Sequence, residues 1–153
     1  MISRTIPNWT LATDIIVGFP GESDEQFANT MRLLEDIEFD KVHVAMYSPR
    51  PGTLSARWED DIPHEVKHAR HQIVERLQER VSLEKHQALV GRREEILVDG
   101  FAKGRWRGRT RGNGLVFFDA TGDWLGQTVD VEIIQATTWY LLAEPVAVVS
   151  AAR

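Results

Sequence analysis

Cysteine is absent from all 153 residues. That excludes disulfides, thiolate nucleophiles and thiolate-held iron or zinc within this chain, and it suits a reducing, cytoplasmic setting. No run of residues is long and apolar enough to span a bilayer, so no membrane partner is expected. Met1 to Trp9 lacks the charged-then-apolar layout of a secretory signal. Positive charge is also scarce: 18 Lys and Arg stand against 23 Asp and Glu, a formal net charge of −5. The chain as a whole is therefore no basic coat for nucleic acid, and any such contact must be local. The acidity is uneven. Residues 1–86 carry 10 basic and 15 acidic side chains, a balance of −5, whereas residues 87–153 carry 8 of each.

Within the neutral half the cations are crowded. Lys103, Arg105, Arg107, Arg109 and Arg111 occupy alternate positions with no acidic residue between them. In an extended strand alternate side chains share a face, so all five are expected to project together. Such a row suits a phosphate backbone. Arginine favours that use, because guanidinium pairs with phosphate in a bidentate manner and stacks on bases. The competing role is an edge strand protected from aggregation by its charges. Trp106, Trp139 and Tyr140 are candidate stacking platforms, although Trp106 should point away from the arginines and into a core.

The first sixty residues have a different pattern. Leu11 to Gly18 is a short apolar, β-branched run that reads as a buried parallel strand. Gly18 to Glu22 is a turn. Ser23 and Gln26 form a capping box that opens a helix with Phe27, Met31, Leu34 and Ile37 on one stripe. Val42 to Tyr47 is a second strand, completing a βαβ unit. Tyr47 to Thr53 is a proline- and glycine-rich loop. A long helix is expected from Pro63 to about Leu89, with Val66, Ile73, Leu77 and Val81 buried. After Gly91 the period becomes two. Short strands are expected at 93–98, 106–111, 115–118, 128–134 and 139–144, which together suggest a closed OB-type barrel. Two strands and one helix cannot bury enough to fold as an α/β domain alone. Residues 1–60 therefore require neighbours, either from a longer protein or from a second copy.

Other residue groups have bland readings. His64, His68 and His71 share a helix face, but Lys67 and Arg70 lie between them and a solvated face is expected. Glu22, Glu35, Asp36, Glu38 and Asp40 show no acid–base pattern and read as helix surface. The Gly18–Glu22 turn could hold an anion at a helix start, but it matches no phosphate-binding motif, and a plain strand-to-helix turn is expected.

Three segments in order resemble the radical SAM tRNA methylthiotransferases of the isopentenyl-adenosine type. They are Thr13–Glu22 (TDIIVGFPGE), Tyr47–Thr53 (YSPRPGT) and Gly108–Asn113 (GRTRGN). The resemblance covers nearly the whole chain. It implies that residues 1–60 are the last strands and helices of a partial TIM-type barrel, that 61–89 is a connecting helix, that 90–146 is a five-stranded TRAM barrel and that 147–153 is a tail. It also implies S-adenosylmethionine and two 4Fe-4S clusters in the intact enzyme. Ile16, Gly18, Pro20, Gly21, Glu22, Ser48 and Arg50 would lie beside S-adenosylmethionine. Lys103, Arg105, Arg107, Arg109, Arg111 and Asn113 would grip a tRNA anticodon stem-loop. No catalytic residue and no metal ligand is implied here, because the family's cluster cysteines are missing. The expected role is the C-terminal, tRNA-binding portion of such an enzyme, completed by a missing N-terminal part and inert alone. The alternatives are a free-standing, non-catalytic RNA-binding module, and an unrelated enzyme that holds a phosphate at the Gly18–Glu22 turn.

Overall fold

The computed structural model describes residues 9–148. The chain divides into two compact units inside one long helix, between Val81 and Ser82.

The first unit holds β1 (Ala12–Val17), α1 (Asp24–Ile37), β2 (Lys41–Met46), a 3-10 turn at Ser55–Arg57 and the first part of α2 (His64–Gln87). β1 and β2 pair in parallel, from Ala12 opposite Lys41 to Val17 opposite Met46. The expected capping box starts α1: the Ser23 hydroxyl accepts from Gln26 N, and the Gln26 side chain accepts from Ser23 N. Val17, Leu34, Phe39, Val74, Leu77 and Val81 form the core. Ala12, Asp14, Ile16, Lys41, His43 and Ala45 alternate onto the opposite, exposed face of the sheet. That face corrects the expectation of a strand apolar and buried on both sides. Among the described residues the sheet has only these two strands.

The buried stripe of α2 also differs from the hydrophobic pattern. Ile73 is exposed and Val66 half-buried, while Lys67 and Arg70 are buried beside Val74, Leu77, Gln78 and Val81. A buried cation must be paired, and each of these two is. Their partners lie in and around the Gly18–Glu22 turn, described below.

The second unit is a closed barrel of β3 (Arg93–Ala102), β4 (Arg105–Thr110), β5 (Leu115–Phe118), β6 (Thr128–Ala136) and β7 (Leu141–Val148). The order around it is β3-β4-β5-β7-β6, with β5 and β7 parallel and the other neighbours antiparallel. This is the OB type of closure, as the strand spacing suggested. Ile96, Val98, Val116, Phe118, Val129, Val131, Ile133, Leu141 and Ala143 fill the interior. Gly108 is required where it stands. A Cβ there would lie 2.8 Å from the carbonyl oxygen of Leu97, on the neighbouring strand. β7 runs to Val148, into the segment expected to be a tail; 149–153, like 1–8, lie outside the described residues.

Candidate nucleic-acid interface

β4 carries the row of cations, and its pairing fixes their direction. Gly108 and Trp106 face inward, Gly108 buried and Trp106 half-buried against the core. Arg105, Arg107 and Arg109 therefore face outward together. Arg111 follows just past the strand end and is 85% exposed at its side chain. Lys103 does not belong to the row. It sits with Gly104 in the two-residue turn between β3 and β4, both at positive φ (56° and 78°), the geometry that a tight hairpin demands. Asn113 is likewise left-handed, at φ 64°. Its carbonyl accepts from Arg109 Nη1 at 3.2 Å.

The arginines are not unpaired, which corrects the expectation of a bare cationic ribbon. Arg107 Nε meets Asp99 Oδ1 at 2.8 Å, and Arg109 Nε lies 3.6 Å from Asp99 Oδ2. Arg105 pairs with Asp119 at 3.3 Å, and Arg111 with Glu95 at 2.5 Å. Asp99 reaches two arginines because the β3–β4 register shifts between Val98 and Gly100, placing it at a bulge. The four arginines of the row thus stand against three carboxylates, a local balance of +1. These are surface pairs, with Asp99 34% and Asp119 69% exposed at their side chains. Such pairs contribute about 0–1 kcal/mol each, so a phosphate can displace the carboxylates.

Beside the row lies an apolar strip on the same outer face. Phe117 on β5 is directly opposite Arg107, and Leu115 opposite Arg109. Phe117 meets Tyr140 edge-on, with ring centroids 5.5 Å apart. Trp139, named with Tyr140 in the sequence, is exposed at the start of the same corner. Phe117 gave no separate signal in sequence, since LVFF reads simply as a core strand.

In the α/β unit the seven residues Ile16, Gly18, Pro20, Gly21, Glu22, Ser48 and Arg50 gather where β1 and β2 end. Parallel pairing puts the loops after both strands at one edge. That edge is where parallel sheets bind ligands. The turn itself is internally saturated. Gly18 N donates to Glu22 Oε2 at 2.6 Å, and Gly21 N to Asp61 Oδ1 at 2.8 Å. Arg70 donates to the Glu22 carbonyl (3.0 Å) and carboxylate (2.6 Å) and to Asp24 (2.7 Å). Burial pushes the Arg70 guanidinium down, but its hydrogen bonds to Asp24 and Glu22 and their charges outweigh it and hold it above its ordinary value. Lys67 donates to both oxygens of Asp60, at 2.5 and 2.7 Å. Glu22 is thus a clamp residue rather than helix surface, and no free amides remain at Gly18 and Gly21 to cradle an anion. Phe19 packs edge-on against Tyr47 and Trp58, with centroids at 5.0 and 5.7 Å.

The histidines of α2 do not converge. His64 and His68 are exposed and stacked, whereas His71 meets Glu75 at 3.2 Å. Among the described residues no group of three His, Cys, Asp or Glu is placed to hold a metal, and no helix is long and apolar enough to cross a membrane.

Residues 87–146 match the TRAM domain. Over 144 residues the chain is 48% identical to a tRNA-2-methylthio-N(6)-dimethylallyladenosine synthase of Herpetosiphon aurantiacus, covering 92% of this chain and 33% of that protein. Proteins of the same name from Chloroflexus aurantiacus and Acetivibrio thermocellus are 46% and 43% identical, over 94% and 92% of this chain and 32% and 30% of theirs. The chain spans about a third of the length of the relatives it matches.

Proposed function

For a chain homologous along most of its length to the tRNA methylthiotransferases, and carrying a TRAM domain, we propose a role in tRNA recognition. In this reading the barrel is the RNA-binding part of an enzyme that methylthiolates isopentenyl-adenosine beside the anticodon. The observation that carries it is the outward row Arg105, Arg107 and Arg109, continued by Arg111, inside the region that matches TRAM. These guanidiniums exchange weak surface carboxylate partners for phosphates of the anticodon stem-loop, and Asn113 shapes the loop that ends the row. Backbone contacts of this kind set position and affinity, while shape and base contacts set specificity.

The α/β unit supports the fold-level reading as the last strands of a partial TIM-type barrel. Its loop edge would form one side of an S-adenosylmethionine pocket through Ile16, Gly18, Pro20, Gly21, Glu22, Ser48 and Arg50. Gly18 and Gly21 have their amides occupied, so this edge fits an apolar or hydroxyl-bearing part of the cofactor better than its carboxylate. The clusters are a different matter. With no cysteine in the chain, its residues do not fit a 4Fe-4S cluster, and no chemical step is assigned to it. We place the domains at 1–60, 61–89, 90–146 and 147–153, with the remaining enzyme part as the partner.

The test is anisotropy titration of the full chain with an anticodon stem-loop across salt concentrations. Replacing Arg109 and Arg111 by alanine should weaken binding and flatten the log–log salt slope by about 0.7–0.9 per lost phosphate contact. Equal affinity and slope in the variant would refute the interface. A C-x3-C-x2-C set, the spacing by which the family that the chain resembles holds its S-adenosylmethionine-cleaving cluster, in the reading frame before Met1 would favour the enzyme over a free-standing RNA-binding module.

A further inference from the structure

The strip beside the arginines suggests which form of RNA this face accepts. We infer that Phe117 and Tyr140 form a stacking site for one unpaired nucleobase, so that the barrel prefers single-stranded RNA to a continuous duplex. The inference rests on the RNA-binding reading above and sharpens it.

Three observations carry it. Phe117 lies directly across from Arg107 on the adjacent strand. Neighbouring strands are about 4.8 Å apart, so a phosphate on the arginine row leaves its own base over the next strand. Phe117 is turned outward because Val116 and Phe118, on either side, are buried in the core. Tyr140 closes the far side at 90° to the Phe117 ring, giving an L-shaped apolar corner with one cationic margin. Tyr140 ends the β6–β7 loop, which is pinned: Thr137 Oγ1 donates to the Tyr140 carbonyl at 2.7 Å and accepts from its amide at 3.0 Å. In OB-type barrels the face of the second and third strands, together with this loop, commonly seats oligonucleotides. A duplex keeps its base faces inside its own stack, and only an unpaired nucleotide can offer one. Stacking also explains why an apolar ring remains half-exposed directly across from Arg107.

The full chain should bind a short unpaired RNA more tightly than a blunt-ended, fully paired duplex of equal phosphate number. Changing Phe117→Leu together with Tyr140→Leu keeps apolar bulk and removes the π faces. It should weaken unpaired-RNA binding roughly tenfold while leaving the salt slope unchanged, and Phe117→Tyr should retain wild-type affinity. In wild type, 2-aminopurine placed at successive RNA positions should change its emission on binding at one position, a readout that survives even if the double variant unfolds. Equal affinity for paired and unpaired RNA, or no responding 2-aminopurine position, overturns the stacking site while a steep salt slope leaves the arginine interface standing. Loss of all RNA binding by wild type overturns both.

Discussion

Asp99 is the most informative residue to change, because it occupies two arginines at once. Its carboxylate lies 2.8 Å from Arg107 Nε and 3.6 Å from Arg109 Nε. If these arginines serve phosphate, Asp99 is a competitor held at the bulge. Each surface pair contributes about 0–1 kcal/mol, so Asp99→Asn releases up to about 2 kcal/mol of pairing capacity and raises the balance of the row from +1 to +2. RNA affinity at about 0.1 M salt should rise, by up to about thirtyfold. The log–log salt slope should steepen by about 0.7 if one more phosphate is engaged. The fold should be little affected, within about 0.5 kcal/mol, as for most surface changes. Asp119→Asn is the internal comparison. It frees only Arg105, from a more exposed carboxylate, and should give less than half the effect in free energy. The assay is anisotropy over a salt series for wild type and both variants. Unchanged or weaker binding by Asp99→Asn would refute the displacement reasoning and assign Asp99 to holding the arginines in place, with the ion pairs as the row's own purpose.

Two stability predictions follow from buried contacts. Arg70→Met removes a guanidinium from three hydrogen bonds and leaves the Glu22 carboxylate, 13% exposed, without its cation; urea melts should show a loss of about 2–4 kcal/mol, part of it recovered by adding Glu22→Gln. The Asp24 arm, fully exposed, should contribute little, so Asp24→Asn alone should leave the melt nearly unchanged. Gly108→Ala places a methyl against a backbone carbonyl that cannot yield cheaply and should destabilise the barrel by about 1–3 kcal/mol, seen as an earlier thermal transition.

What could be read from residues alone was mostly local. Ser23 and Gln26 announced the helix start because a capping box lies within four residues. Alternation announced the barrel strands, and the outward sense of Arg105, Arg107 and Arg109 followed from period two. What could not be read depends on neighbours distant in sequence. Glu95 and Asp99 on β3 and Asp119 just past β5 neutralise much of the row, and only the ladder register reveals them. Lys103 drops out because a Lys-Gly pair can supply a left-handed turn as easily as it can extend a strand. Lys67 and Arg70 were assigned to solvent because hydrophobic periodicity scores a cation as surface. Yet Glu22, Asp24 and Asp60 make their burial affordable, and only the folded turn brings these together. Phe117 was hidden for the opposite reason, since an apolar residue in an apolar strand carries no mark of facing outward.

Backbone amide NMR of the full chain, titrated with a short unpaired RNA, locates the contact most directly. Shift changes should concentrate on Arg105 to Gly114 and on Phe117 and Tyr140. Changes confined to β6 or to the α/β unit, with the β4 amides unmoved, would contradict the claim that the arginine row is where the barrel meets RNA.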